Sequence, residues 1–170
     1  KIRILDIGTG SGCIPIALKK HLPDAEVHGI DVSEEALAVA QKNAQRNDVA
    51  VQFHLIDILN ATLEDLPDFH IIVSNPPYVR ELEKALMSDN VLAFEPHLAL
   101  FVSDTEPLVF YNKITSIASQ KLLHAGHLYF EINEALGQET IQLFKKEGFQ
   151  AISLRQDIYG KDRMAMGIKL

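Results

Sequence analysis

Tryptophan is absent from these 170 residues and cysteine occurs once, at Cys13. One thiol cannot build a disulfide framework, so the fold must rest on an apolar core; it also fits a reducing compartment, and a cytoplasmic location is expected. No apolar run approaches the roughly 20 residues that span a bilayer, and no basic-then-apolar signal peptide is present, so no membrane association is expected. Positive charge is also scarce: 16 Lys and Arg against 23 Asp and Glu give a formal charge of −7. A broad basic footprint for nucleic acid is thereby excluded. The seven histidines lack metal-ligand spacing, so no metal is expected; His124 and His127, flanking Gly126, read as surface residues. An initiator methionine is missing too, and the chain opens directly on a strand. The expectation is one domain, residues 1–170, cut from a longer protein and acting as a monomer.

What is present is an alternation of strands and helices. With 47% apolar residues the chain can bury a sizeable single core. Ile2–Ile7 is an apolar run broken by glycines, as expected of a strand buried on both faces. A helix over Cys13–Leu22 carries Ile14, Ala17 and Leu18 at helical spacing, with Pro15 in its first turn. Strands are predicted at Glu26–Ile30, Val51–Ile56 and Phe69–Val73, and a helix from Glu34 to about Arg46 with Ser33 as N-cap. Val79 to Pro107 reads as a long irregular segment with a weak helical stretch at Leu82–Met87. A helix over Leu108–Leu123, a strand at His127–Ile132 and a helix over Gln138–Glu147 follow. Gln150–Gln156 and Arg163–Lys169 then pair antiparallel around Tyr159-Gly160. The pattern implies an α/β fold: a mostly parallel, Rossmann-like sheet of seven strands, helices on both faces and an antiparallel C-terminal strand.

Chemistry is expected where strands end. Asn75-Pro76-Pro77-Tyr78 follows the Phe69–Val73 strand; both prolines fix φ and lack an N–H, and Pro76 pushes Asn75 towards an extended conformation. The carbonyls of Asn75 and Pro76 are thus left as rigid acceptors for an amino or amide group. Gly8-Thr9-Gly10-Ser11-Gly12 follows the first strand and suits close backbone approach to a ligand. The dinucleotide pattern G-x-G-x-x-G would need glycine at 13, where Cys13 stands, so Cys13 reads as a small packing residue. Asp31, at the end of the second strand, is placed to accept from ribose hydroxyls, and Asp57, after the third, from an exocyclic amino group.

These residues carry a resemblance. Asp6-Ile7-Gly8-Thr9-Gly10-Ser11-Gly12-Cys13-Ile14, Asp31 and Asn75-Pro76-Pro77-Tyr78-Val79 resemble the class I S-adenosylmethionine-dependent methyltransferases. More narrowly they resemble the HemK/PrmC branch, protein-(glutamine-N5) methyltransferases of peptide chain release factors. Phe94-Glu95-Pro96 with Leu98-Ala99-Leu100, and Asp157 with Gly160 and Arg163, resemble further signatures of that branch. Two positions depart from it: Ile58 stands where relatives carry an aromatic, and Phe101–Thr105 replaces a glycine-rich continuation.

The resemblance implies S-adenosyl-L-methionine as cofactor. Gly8, Thr9, Gly10, Ser11 and Gly12 would line its methionine part, Asp31 the ribose, and Asp57 with Ile58 the adenine. Asn75 would touch cofactor and substrate, and Pro76, Pro77 and Tyr78 would complete the substrate site, with Asn75, Pro76 and Tyr78 catalytic. The implied partners are class I release factors, methylated at the glutamine of Gly-Gly-Gln, with no direct nucleic-acid contact and with an N-terminal helical domain expected outside this chain. A ribosomal-protein glutamine methyltransferase, a nucleic-acid amino methyltransferase (adenine N6 or guanine N2) and a non-catalytic cofactor-binding module are the alternatives. Glu95, Glu131 and Arg163 read more simply as structural.

Overall fold

The computed structural model describes residues 1–80, 101–102 and 105–170. Its strands are β1 (Arg3–Ile7), β2 (Glu26–Asp31), β3 (Gln52–Leu55), β4 (Phe69–Ser74), β5 (Val79–Arg80), β6 (Phe101–Val102), β7 (Leu122–Glu131), β8 (Gln150–Gln156) and β9 (Asp162–Ile168). Four helices accompany them among the described residues: α1 (Cys13–His21), α2 (Glu34–Arg46), α3 (Val109–Lys121) and α4 (Gly137–Lys146). Seven strands form one sheet in the order β3-β2-β1-β4-β7-β9-β8. Contacts from β3 to β7 are parallel, while β9 runs against both neighbours. The expected seven-stranded sheet with an antiparallel C-terminal strand is therefore present. β5 and β6 form a separate parallel pair.

The central strands are apolar because helices cover both faces. Ile4 and Leu5 are fully buried on adjacent positions of β1, and Phe69 and Ile72 on β4. The larger core cluster joins Leu5, Ile7, Ile72 and Phe130 to Tyr111, Ile114 and Ala118 of α3 and Phe144 of α4. On the other side of the sheet a smaller cluster joins Ile4, Ala25 and Val27, with Leu18 of α1 packed on it. α2 starts as its sequence dictates: the Ser33 hydroxyl accepts from Ala36 N at 3.1 Å, and Glu34 and Glu35 occupy the first turn. Leu37, Ala40 and Ala44 are its buried stripe.

The sequence reading misses the short strands β5 and β6, which lie in the segment read as irregular, and misplaces the passage from α3 to β7, expected to begin only at His127. α3 stops at Lys121 and the chain enters β7 at Leu122, although helical spacing continues to Leu123. The sheet captures the chain early. Leu122 is already extended and pairs with Phe69, its carbonyl accepts from Lys169 Nζ at 2.6 Å, and Ala125 N donates to Lys169 O at 2.7 Å. An irregularity follows, since Phe69 pairs with Leu122 but Ile71 with His127. A side chain at Gly126 would stand 2.8 Å from the Leu123 carbonyl, so only glycine fits there. The helical stretch at 82–87 and Phe94-Glu95-Pro96 lie outside the described residues, as do Leu98-Ala99-Leu100.

The parallel strands end together at Ile7, Asp31, Leu55, Ser74 and Glu131, and the antiparallel β9 begins at the same edge. Strand order reverses between β1 and β4. That is where an open parallel sheet leaves a crevice for a ligand. Among the described residues no helix is long and apolar enough to cross a membrane.

Candidate active site

The loops after β1 and β4 are fastened to each other at their roots. Ser74, the last residue of β4, is paired with Ile7, and its buried hydroxyl donates to the Ile7 carbonyl at 2.7 Å. One residue on, a methyl group at Gly8 would lie 3.9 Å from the Asn75 carbonyl oxygen. The glycine loop and the Asn75-Pro76-Pro77-Tyr78 turn therefore face one another across the reversal in strand order.

Gly8, Gly10 and Gly12 all have positive φ, 74°, 53° and 81°, a region costly for other residues. Gly12 also meets a steric limit: a side chain there would stand 3.1 Å from Ala40 Cβ and 3.1 Å from Ile16 Cδ1. Glycine thus lets α1 and α2 approach. Asp31 joins the same assembly, its Oδ2 accepting from Gly10 N at 2.8 Å and its Oδ1 from Ser33 N at 2.9 Å. One carboxylate holds both the glycine loop and the entrance to α2, with lone pairs remaining for hydroxyl donors.

Beneath the loop lies Asp6, which sequence reasoning did not assign a role. It is 1% exposed; Oδ2 accepts from the Thr9 hydroxyl at 2.7 Å, and Oδ1 has no hydrogen-bond partner among the described residues. Burial pushes its carboxyl up to about 7, against the Thr9 hydrogen bond and with help from the Asp31 charge. The signal was there to read, an acid inside the apolar run Ile4-Leu5-Asp6-Ile7. The Thr9 side chain is thereby occupied with Asp6. Ser11 is exposed, its hydroxyl 3.2 Å from the thiol of Cys13; Cys13 is itself exposed and free, so it is not the small packing residue expected, and the close contact at the start of α1 falls on Gly12 instead.

The remaining sequence-predicted residues divide. Asp57 is exposed and caps its own turn, Oδ1 accepting from Leu59 N at 3.0 Å and Oδ2 from Asn60 Nδ2 at 2.7 Å. Ile58 is buried at 8% exposure in the main core, so its backbone is what it offers a ligand. Val32 and Leu55, which sequence reasoning missed, are exposed at 57% and 58% beside Asp31, with Leu55 its register partner. Exposed apolar side chains at strand ends are the surface an aromatic ring would cover. Asn75 is exposed, Pro76 buried, Pro77 and Tyr78 half-buried. The Tyr78 hydroxyl donates to Glu131 Oε1 at 2.9 Å. Its phenol is pushed up to about 12, chiefly by burial and then by the Glu131 charge. Among the described residues no cluster of His, Cys, Asp and Glu could hold a metal ion.

The sheet order, parallel from β3 to β7 with an antiparallel β9, is the class I methyltransferase fold, and the glycine loop braced by Asp31 lies beside the 75–78 turn at its reversal point. The chain belongs to the methyltransferase small domain family, whose profile matches residues 1–95. It is 57% identical over 164 residues to the release factor glutamine methyltransferase of Flavobacterium psychrophilum, covering 96% of this chain and 57% of that protein. To the protein of the same name from Bacteroides thetaiotaomicron it is 50% identical over 162 residues, covering 95% and 58%. The chain thus spans less than two thirds of these relatives' length. In fold it is similar to the ribosomal protein L11 methylase of Lactobacillus delbrueckii, with TM-score 0.68, 20% identity, and 99% of this chain and 70% of that one covered. It is also similar to a Streptococcus mutans protein solved in complex with SAH, with TM-score 0.66, 18% identity, and 100% and 89% covered.

Proposed function

We propose that this domain transfers a methyl group from S-adenosyl-L-methionine to the side-chain amide nitrogen (N5) of a glutamine in class I peptide chain release factors, the glutamine of Gly-Gly-Gln. The observation that carries the reading is the juxtaposition of the glycine loop with the Asn75-Pro76-Pro77-Tyr78 turn, rooted in the Ser74 to Ile7 hydrogen bond. The choice of release factors rests on the names of the relatives that match nearly all of this chain.

The residues present fit the cofactor. Asp6 offers a buried carboxylate oxygen without a partner under the loop, suited to a cationic amino group. Gly8, Gly10 and Gly12 open the backbone to close approach while the Thr9 side chain is held by Asp6, Asp31 accepts from a ribose, and Asp57 with Ile58 serves the adenine, which Val32 and Leu55 flank. When bound, the cofactor would supply an electrophilic methyl on a sulfonium, leaving as a neutral thioether, and the methylated amide nitrogen would then release one proton to solvent.

The chain's own part is to make a poor nucleophile react. The lone pair of an amide nitrogen is delocalised into its carbonyl. The Asn75 side-chain oxygen and the Pro76 carbonyl accept the two N–H groups, hold the nitrogen towards the cofactor side, and favour the positive charge that develops as it pyramidalises. Hydrogen bonds between neutral groups are worth about 0.5–1.5 kcal/mol net and those to a charged group about 1.5–3 kcal/mol, so these contacts strengthen towards the transition state. Pro77 stiffens the turn. The Tyr78 ring offers its π face to the cationic centre.

The test is incorporation of labelled methyl into a release factor and into a variant whose Gly-Gly-Gln glutamine is replaced. The chain is assayed alone and extended to its relatives' length. Label that appears in the first acceptor and vanishes in the second establishes the reaction; equal label in both overturns it.

A further inference from the structure

The 75–78 turn has a second support, on the side away from the glycine loop. Two prolines deprive it of backbone donors, so it cannot hold its shape through a ladder. The end of β7 supplies what is missing. Glu131 accepts from the Tyr78 hydroxyl at 2.9 Å, and Asn133 Nδ2 donates to the Tyr78 carbonyl at 3.1 Å. Tyr78 is therefore gripped at both its ring tip and its backbone.

That grip is itself fixed. Asn133 is 6% exposed, and its Oδ1 accepts from Ala135 N at 2.9 Å, which turns the amide nitrogen towards Tyr78. The hydroxyl of Tyr111, a fully buried core residue, donates to the Glu131 carbonyl at 3.3 Å and accepts from Asn133 N at 3.4 Å. Arg163 closes the far side, its Nη1 donating to Ile132 O at 3.3 Å and its Nε to Asp157 Oδ2 at 3.3 Å. Its own carbonyl accepts from Ile132 N at 2.9 Å. Residues 131–133 are thus held by the core through Tyr111 and by β9 through Arg163.

We propose that Glu131 and Asn133 are positioning residues that act through Tyr78, setting its ring against the acceptor amide; this rests on the reading of the turn as the methyl-acceptor site. Glu131 contributes more than a contact. A phenol that donates to a carboxylate carries more electron density on its ring, an effect that the Arg163 guanidinium beside the same hydroxyl partly offsets, and the ring's pull on the developing cation is electrostatic. Asn133 fixes where the ring stands, and Glu131 fixes its tilt and charge.

The test is a double-mutant cycle with the release-factor acceptor, measuring kcat separately from the affinity for S-adenosylhomocysteine. Glu131→Ala should lower kcat about tenfold, equivalent to one lost charge-assisted hydrogen bond, with S-adenosylhomocysteine affinity within about twofold. In the Tyr78→Phe background, where the hydroxyl is already gone, the same change should cost less than about twofold. Glu131→Gln, which keeps an acceptor oxygen, should recover part of the rate and controls for folding. Equal losses with and without the Tyr78 hydroxyl, or kcat and cofactor affinity falling together, would overturn the proposal. If the unmodified chain methylates no glutamine, the functional reading fails first. The bracket is then judged without turnover by the Tyr78 Cζ resonance in Glu131→Gln and wild-type protein at neutral pH. A shift is expected, and coincident resonances would sink the proposal.

Discussion

Asn75 stands exposed one residue beyond the last paired position of β4, and among the described residues no group depends on its side-chain amide. Its replacement therefore separates chemistry from folding. Asn75→Ala should lower turnover of a glutamine acceptor on the order of a hundredfold or more, by analogy with losing a preorganised partner of transition-state charge. The thermal midpoint and the affinity for S-adenosylhomocysteine should change far less; near-normal turnover would remove Asn75 from the mechanism. Asp31 is the opposite case, because its two oxygens already hold Gly10 N and Ser33 N. Asp31→Ala should weaken S-adenosylhomocysteine binding by roughly tenfold or more, since hydrogen bonds to a charged group are worth about 1.5–3 kcal/mol each. It should also lower the thermal midpoint, and calorimetric titration beside a melting curve distinguishes this double effect from loss of a ligand contact alone.

At the scale of elements the binding face depends on how closely α1 approaches α2. Gly12 is the N-cap of α1, at φ 81° and with Ala40 and Ile16 against it. Gly12→Ala asks a side chain to take a left-handed conformation and to push two elements apart. The backbone part alone costs about 1–2 kcal/mol, so denaturant unfolding should show a loss of at least that size and cofactor affinity should fall with it. Gly10→Ala is the control, since φ is also positive but a side chain there meets nothing within 4 Å. It should carry the backbone cost without displacing the helices. Helix starts of this kind were legible in the sequence because their signals are local: Ser33 before two acids, and glycines before an apolar stripe. The end of α3 was not, because helical spacing runs on through Leu122 while distant Phe69 and Lys169 draw that residue into the sheet.

Over the whole molecule, strand ends were readable from the alternation of apolar runs with helical patterns, and they brought Gly8–Gly12, Asp31 and Asn75 to one edge. What stayed hidden was a group whose role comes from a partner far along the chain, Asn133 under Tyr78; Asp6 inside β1 was legible as an acid within an apolar run, but not its burial beneath the glycine loop. Asp6 carries a consequence for global stability. Its carboxyl sits near 7 in the folded protein, against an ordinary value of 3.8, because burial disfavours its charge. The folded state then binds a proton that the unfolded chain has released. This group's contribution to stability is complete below about pH 4 and is lost as the pH rises through 7. Asp6→Asn removes the titration while leaving an oxygen to accept from Thr9. The amide's unpaired N–H groups carry a penalty that does not vary with pH, so the informative quantity is the change in the difference between variant and wild type. From pH 4.5 to pH 8 the variant should gain on the wild type by on the order of 2–4 kcal/mol, read from denaturant unfolding at each pH. A difference that stays constant across that range would mean that the buried carboxyl ionises at its ordinary value.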